Sequence, residues 1–434
     1  MSTSYDVIVA GGGTAGCVLA ARLSEDPARR VCLVEAGPDY GPHDSGRWPA
    51  DILDARRLAL DSHRWPQARE DRSQARARVL GGCSSHNACV LVRGEPRDYD
   101  EWPEGWRAAD LEPYLDRAEA QLGARFFPEE QLNPWHRAFA EAAGPLVQRH
   151  PFNVAGSTRW NGAFAYLDPA RSRPNLAIVA DTLVDRVLRE NGRAVGVATR
   201  GGELRARLVV LAAGAYGTAG ILLRSGFGPP VGEELADHPG VGVGWEPTPE
   251  LQADCAGFEA EHPLFMAGIT AKDGDVFLFP ALDPAFETGG YEISAGVFLM
   301  KPRSRGSVRL TAPDPEAPLA IDHGFLGDPA DVEPIVAGVE LVRGLARLPE
   351  LARYAGRELR PGDNDLREYV RAEIRGFFHP TGTCAWGRVV DDRCRVAGIE
   401  SLAVGDASLM PTIPRANPNL TVAAVAERVA EVLS

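Results

Sequence analysis

Two histidines lie in runs whose neighbours suit chemistry on a bound ligand. His86 follows Gly-Gly-Cys-Ser-Ser, and a glycine pair with small hydroxyl residues lets the backbone approach a flat or phosphorylated ligand closely. An imidazole directly after the serines can face that ligand. His379, in Phe-His-Pro-Thr-Gly-Thr, is a natural general base because imidazole titrates near neutral pH. Asn417, which begins Asn-Pro-Asn, can donate a hydrogen bond that positions a substrate atom.

The elements that would hold such a ligand begin at the N-terminus. Residues 5–34 predict a strand, a glycine turn, an apolar helix and a second strand that ends at Glu35. Gly11 permits the tight turn, Gly13 lets a pyrophosphate reach the helix N-terminus, and Gly16 lets helix and strand pack closely. Glu35 follows at the usual spacing of about 20 residues, where its carboxylate can accept ribose hydroxyls. This order indicates a dinucleotide-binding unit and by itself does not distinguish FAD from NAD.

Composition narrows the class of protein. The 434 residues are 44% hydrophobic and 24% charged, as in globular proteins. The net charge of −14 and the lack of a basic stripe argue against a nucleic-acid partner. Seven cysteines without C-x-x-C spacing indicate neither a disulfide framework nor a zinc site. No signal peptide and no run of about 18 apolar residues is evident, so we expect no membrane association and a cytoplasmic location.

Several blocks of the chain, in one order, resemble the glucose-methanol-choline (GMC) flavoprotein oxidoreductases. The run 78–87 is similar to the first GMC signature, and its residues are most similar to those of the choline oxidase branch. The run 214–228 is similar to the second signature. The run 378–384 resembles the His-Pro-x-Gly-Thr motif, and 402–422 follows in family order. The resemblance implies bound FAD and oxidation of a CH–OH group to an aldehyde or ketone, with hydride transfer to flavin N5.

The resemblance also implies roles for single residues. His379 is the base at the flavin N5 edge, and Asn417 is the second catalytic position. His86 stands where the choline oxidase branch bonds its histidine to the 8α carbon of FAD, so a covalent flavin is expected. Asp406 holds the ribityl and pyrophosphate region. His238, in Asp-His-Pro, is expected to be structural.

Residues from each of these blocks are implied to contact FAD, and no metal is implied. They are Gly11, Gly13, Thr14, Ala15, Gly16, Glu35, Ala36, Arg78, Gly81, Gly82, Ser85, His86, Asn87, Ala88, Cys89, Val90, Val184, Ala213, Gly214, Asp406, Ala407, Asn417, Pro418 and Asn419.

The fold class expected is α/β, with a Rossmann-type FAD-binding domain interleaved with a smaller antiparallel-sheet substrate domain. The FAD-binding domain would comprise 1–127, 165–240 and 377–434, and the substrate domain 128–164 and 241–376. Within them, residue patterns predict further strands over 176–180, 184–188, 192–197 and 208–214, and helices over 110–122, 331–345 and 423–433. The runs 306–310 and 318–322 resemble the strand pair found before the last third of GMC proteins. Asp110 is the predicted N-cap of its helix, and the composition of 127–164 indicates irregular structure.

The substrate is left open by the sequence. A choline cage needs anionic or aromatic groups, for which Trp245, Tyr291 and Glu292 are the candidates. The stretches after Gly228 and between Gly240 and Gly296 are shorter than the family pattern, which leaves the oligomeric state open as well. A lyase like the FAD-containing hydroxynitrile lyases, a non-redox flavoprotein and an NAD enzyme are the alternatives, and O₂ or another acceptor would reoxidise the flavin.

Overall fold

The computed structural model describes residues 4–66, 74–256, 258, 268–284 and 290–434. Its strands are β1 (Ser4–Ala10), β2 (Val31–Val34), β3 (Val147–Arg149), β4 (Val154–Ala155), β5 (Thr158–Arg159), β6 (Leu176–Val179), β7 (Val184–Glu190), β8 (Arg193–Thr199), β9 (Gly202–Leu211), β10 (Glu233–Leu235), β11 (Pro239–Pro247), β12 (Ile269–Asp273), β13 (Val276–Pro284), β14 (Tyr291–Leu299), β15 (Gly306–Leu310), β16 (Leu319–Asp322), β17 (Ala355–Arg360), β18 (Arg375–Gly376) and β19 (Leu402–Val404). Its helices are α1 (Thr14–Leu23), α2 (Ala50–Leu53), α3 (Pro96–Tyr99), α4 (Ala108–Gln121), α5 (Pro134–Ala143), α6 (Gly214–Arg224), α7 (Pro249–Cys255), α8 (Val332–Ala346), α9 (Pro349–Ala352), α10 (Leu366–Glu373) and α11 (Asn419–Val432).

A largely parallel sheet forms the first layer, in the order β6-β2-β1-β9-β8-β7 with β19 beside β9. β1 lies between β2 and β9 and is parallel to both, so their carboxyl ends share one edge. All four residues of β2 are buried, as expected of a strand with both faces covered. Helices α1 and α11 pack against this sheet in one apolar core. The predicted Rossmann-type unit is confirmed.

A second, antiparallel sheet has the order β17-β11-β14-β13-β12-β3, with β18 beside β11. Its apolar side chains form a separate core with helices α5 and α8, in which Trp135, Phe139 and Ile335 are fully or almost fully buried. The predicted pair β15 and β16 forms in antiparallel register and packs on the core of the first sheet through Val308 and Leu319. The α/β fold class with an antiparallel second sheet is confirmed, while the domain boundaries stay predictions.

The predicted strands and helices form with shifted ends, and two details differ. Asp110 does not cap α4, because Arg107 holds the N-cap position and Asp110 sits at the third helical residue, where its carboxylate accepts from the Arg107 N–H at 3.1 Å. The stretch 127–164 is not irregular throughout. It contains α5, capped by the Asn133 side chain, which accepts from the His136 N–H at 2.9 Å.

None of the helices in the described ranges is both long and apolar enough to cross a bilayer. The same ranges hold no group of three or more His, Cys, Asp or Glu side chains placed to bind a metal ion.

Candidate active site

A long cavity opens at the carboxyl edge of the parallel sheet and runs to the loops beside the second sheet. Its wall includes the glycine turn after β1 and the end of β2, together with His86, His379 and Asn417. Ligands of open α/β sheets bind at this edge, because the loops after the strands converge there.

The glycine turn after β1 leaves the N-terminus of α1 open at Gly13. Gly11 has φ +108°, and a Cβ there would meet the Ala212 carbonyl oxygen at 2.6 Å. Gly16 lies against Gly11, whose oxygen would be 1.8 Å from its Cβ. Around Gly13 a Cβ would find only Gly82 Cα, at 3.9 Å, so the N-terminus of α1 is open to a ligand. This arrangement suits an anion.

Glu35 lies where the sequence predicts a ribose acceptor and also stabilises the turn. One carboxylate oxygen accepts from the Gly12 N–H at 2.7 Å and the other from the Gly37 N–H at 2.8 Å. Burial raises the pKa of this carboxyl to about 7. Each oxygen still has a second lone pair with which to accept a hydroxyl proton.

Asp406 reaches the cavity wall from the segment after β19. One of its oxygens accepts from the Gly214 N–H at 2.8 Å and from the Thr218 hydroxyl at 2.6 Å. The other accepts from the N–H and the hydroxyl of Ser408. Four donors therefore hold the carboxylate, which fixes the start of α6 against the cavity.

The turn that carries His86 depends on glycine. Gly81 has φ +90° and Gly82 φ +55°, and a Cβ on Gly82 would come within 2.6 Å of Gly13 Cα. His86 is buried, and its Nδ1 has no hydrogen-bond partner among the described residues. Burial, assisted by the positive charge of Arg159, lowers the pKa of His86 to about 3. Its imidazole is therefore neutral.

Asp237 organises the loop that presents His379. Its Oδ1 accepts from the His238 N–H at 2.7 Å and from the His379 N–H at 2.9 Å. Two further backbone hydrogen bonds join Ala236 to Thr381, at 2.9 and 3.1 Å. The Asp-His-Pro turn and the His-Pro-x-Gly-Thr motif thus form one rigid unit.

The two imidazoles of this unit touch. His238 Nε2 lies 3.1 Å from the Pro414 carbonyl oxygen, and its Nδ1 lies 2.8 Å from His379 Nδ1. Burial lowers the pKa of His238 to about 3 and that of His379 well below its usual value, so both rings are neutral. A carbonyl can only accept, so His238 carries its proton on Nε2 and leaves Nδ1 bare. His379 must then donate from Nδ1, which leaves Nε2 as the unprotonated nitrogen.

Comparison with known proteins identifies the chain. Residues 5–240 and 302–426 match the N-terminal and C-terminal family models of the GMC oxidoreductases. This chain belongs to the GMC oxidoreductase family. It is 33% identical to 5-(hydroxymethyl)furfural oxidase of Methylovorus sp., with 99% of each chain covered. It is 32% identical to human mitochondrial choline dehydrogenase, with 99% of this chain and 89% of the relative covered.

A solved structure of this type has the same fold. Pyridoxine 4-oxidase from Mesorbium loti superposes with a TM-score of 0.83 at 26% identity, with 99% of both chains covered. The alignment with the furfural oxidase runs over 536 positions, more than the 434 residues of this chain, so the additional positions are gaps opposite it. A chain shorter than this GMC relative is therefore confirmed, although the positions of the missing segments stay a prediction.

FAD is the cofactor of this GMC chain, and its cavity fits a flavin dinucleotide. Four buried polar atoms on the cavity wall lack a hydrogen-bond partner within the described ranges. They are Arg76 Nε, His86 Nδ1, Asn417 Oδ1 and Asn419 Nδ2. Buried polar atoms are rarely left unpaired in native proteins, so a polar ligand that contacts several of them is expected here.

Nearly all residues that the sequence assigns to FAD contact lie on this wall. The exceptions are Gly16, Arg78, Gly81 and Ser85. Gly16 and Gly81 shape the two turns, and the Ser85 hydroxyl donates to the Leu80 carbonyl at 3.1 Å. Arg78 forms two hydrogen bonds to Glu316, at 3.0 and 3.2 Å, and one to the Ala36 carbonyl. These four residues therefore support the residues that line the cavity and do not line it themselves.

Sequence reasoning missed one side of the cavity. Trp65, Arg76 and Tyr216 line it, together with Phe377 next to the loop that carries His379. Arg76 lies two residues before the run assigned to the first signature, and Tyr216 lies within the second. Their proximity to the motifs is the signal that was available, but the packing that brings them together involves residues far apart in the chain.

The three candidates for a choline cage are wrong. Trp245 is buried in the core of the second sheet beside Trp135. Tyr291 bonds to the Cys255 carbonyl, and Glu292 is exposed at the hairpin of β13 and β14. None of them lies on the described cavity wall. Alternation along the strands directs them elsewhere, which residue type alone does not reveal.

Proposed function

We propose that this protein oxidises an alcohol to the aldehyde or ketone, with His379 as the base that accepts the hydroxyl proton. The observation that carries the proposal is the bare Nε2 of His379, on a residue that lines the cavity and whose other ring nitrogen is occupied by His238. Relatives named as oxidases and dehydrogenases of alcohols support it, among them the furfural and pyridoxine oxidases.

The bound flavin supplies the acceptor for the hydride that leaves the carbon. The chain's own residues handle the proton and the position of the alcohol. His379 Nε2 takes the hydroxyl proton, and the resulting imidazolium keeps its Nδ1–H bond to His238. The positive charge gained at His379 stabilises the alkoxide character that develops on the substrate oxygen.

Asn417 is the proposed positioning group on the opposite side of the substrate oxygen. It lies at the beginning of the segment that leads into α11, and its amide lines the same cavity as His379. Its Oδ1 is buried and has no partner among the described residues, so the amide can bond a ligand without losing an existing contact. Orientation of the C–H bond is the expected result.

The substrate proposed is an uncharged alcohol with a flat or apolar body. Phe377 and Phe378 line the cavity beside His379, and Phe377 stacks on Phe298 with ring centroids 3.9 Å apart. The carboxylates on the described wall, Glu35 and Asp406, both accept backbone N–H groups at the dinucleotide end. Neither is available to pair with an ammonium group near His379.

The lyase and non-redox alternatives have no observation in their favour, since the relatives named above are oxidases and a dehydrogenase. A cytoplasmic location and reoxidation by O₂ or another acceptor stay predictions.

A panel of alcohols tests the proposal. The yellow holoenzyme is mixed anaerobically with benzylic, aliphatic and amino alcohols, and the loss of flavin absorbance is followed together with formation of the carbonyl product. We expect aromatic primary alcohols to bleach the flavin and choline to do so poorly. A flavin that no alcohol reduces contradicts the activity, whereas faster reduction by choline than by benzylic alcohols contradicts only the substrate class.

A further inference from the structure

Arg76 is a cation on the cavity wall without a carboxylate partner among the described residues. Its guanidinium carbon lies 4.9 Å from the ring centre of Trp65 and 5.4 Å from that of Tyr216. Its Nε is buried and makes no hydrogen bond within the described ranges. Stacked rings fix the plane of the guanidinium but satisfy none of its N–H donors.

Two neighbouring arginines show the contrast. Arg224, also on the cavity wall, donates from Nε to the Asp185 carbonyl at 2.9 Å and to its carboxylate at 3.1 Å. Arg78 donates to both carboxylate oxygens of Glu316. Burial lowers the pKa of both Arg76 and Arg224, so the difference between them lies in their hydrogen bonds. Arg78 and Arg224 each have a carboxylate partner, whereas Arg76 has none among the described residues.

The surroundings of Arg76 locate it along the cavity. Tyr216, on one side, is the third residue of α6, whose first N–H is held by Asp406. On the other side lies Cys83, whose thiol pKa is raised by burial and in small part held back by the nearby charge of Arg76. Cys83 follows Gly82, the residue that abuts Gly13 at the open end of α1. Arg76 thus lies between the start of α6 and the glycine turn.

We propose that Arg76 binds the diphosphate of FAD and so locks the dinucleotide in the cavity. The diphosphate carries two negative charges, and a helix N-terminus offers the equivalent of only about half a positive charge. The guanidinium fork supplies charge and paired donors in the geometry that phosphate oxygens accept. The inference rests on FAD as the cofactor and is independent of the role of His379.

The test compares ligands with and without phosphate. The protein carries His86→Asn, which removes the imidazole predicted to bond FAD covalently. ADP and adenosine then compete with FAD for rebinding, followed by flavin fluorescence. Arg76→Met should weaken FAD and ADP by about tenfold to a hundredfold, the effect of losing a charged hydrogen bond. Adenosine should bind as before, and FAD release should become faster by a similar factor. Arg171→Met is the matched control, because Arg171 pairs with Asp39 and Asp168 and is not on the described cavity wall. It should leave the ADP constant within a few-fold.

Three results of the Arg76→Met experiment would overturn the proposal. Wild-type ADP affinity in Arg76→Met overturns the proposal, as does an equal loss for ADP and adenosine. Unchanged FAD binding with a raised KM only for alcohols that bear a carboxylate assigns Arg76 to an anionic substrate and also overturns it. If Arg76→Met does not fold, Arg76→Gln, which keeps a polar planar end without the charge, gives the same comparison.

Discussion

His238 and His379 face each other through their Nδ1 atoms at 2.8 Å, and this contact determines which nitrogen of His379 is free. The Pro414 carbonyl fixes the proton on His238, and His238 in turn fixes the proton on His379. We therefore predict a positioning role for His238, which the sequence led us to expect to be only structural. Its contact with His379 Nδ1 leaves the lone pair of His379 on Nε2.

Replacement of His238 tests that role. His238→Gln should slow flavin reduction by about tenfold to a hundredfold, the size of effect when the orienting partner of a working imidazole is lost. The KM should change little, since His238 does not line the cavity. The rate constant is measured by stopped-flow mixing with a reducing alcohol. His136→Gln removes another buried imidazole, 2.8 Å from the Pro280 carbonyl, and should have little effect. Equal losses in the two variants would make the effect a general one of packing.

The buried His238 predicts how stability depends on pH. Its folded-state pKa is about 3, below the unfolded value near 6.5. Its contribution to stability is fully present above pH 6.5 and is lost as the pH falls through this window, because the unfolded chain binds the proton first. The loss can reach about 1.4 kcal/mol per pH unit. Denaturant titrations at pH 7 and 5 should show a smaller difference in His238→Gln than in the unmutated protein. An identical difference would refute the assignment.

His86 is predicted to bond covalently to the 8α carbon of FAD. Its imidazole is neutral, lines the cavity and has an unpartnered Nδ1. The new C–N bond replaces a methyl hydrogen and leaves two electrons on the flavin, which O₂ or another acceptor removes. Acid precipitation should leave the yellow colour in the pellet and the flavin mass on the denatured chain. His86→Ala should release its colour. Yellow supernatant and the mass of the bare chain in the unmutated protein would show that His86 is only a contact.

Asn417→Ala should slow flavin reduction on the order of tenfold, as expected for one lost hydrogen bond. The loss should be smaller than that for His379→Ala, because the base remains. FAD content, measured from the absorbance ratio, should stay near that of the unmutated protein. A variant that loses its flavin instead would place Asn417 mainly in cofactor binding.

The strand-turn-helix unit at the N-terminus could be predicted because local features determine it. Gly11, Gly13 and Glu35 act within one βαβ unit, so their spacing along the chain reflects their spacing in space. The family motifs similarly indicated which loops meet, and His86, His379 and Asn417 do line one cavity.

The remaining features depend on packing between distant segments. The ring nitrogen of His379 that carries the proton is determined by His238 and Pro414, which lie on separate loops. Sequence does not reveal which arginine lacks a carboxylate partner. Only the structure shows that Arg78 and Arg224 bond to carboxylates and that Arg76, among the described residues, does not. Trp245 satisfies every requirement of residue type for a cage, yet its strand directs it into the core. Composition and motifs do not indicate which distant residues will pair or into which core a side chain will pack.

The rate constant of anaerobic flavin reduction in His379→Ala tests the central claim most directly. The control is His150→Gln, which removes a half-buried imidazole 2.9 Å from the Thr270 hydroxyl. The proposed base predicts a loss of about 10²-fold or more in His379→Ala, with FAD still bound and His150→Gln close to the unmutated protein. Reduction of His379→Ala at a near-normal rate would contradict the account.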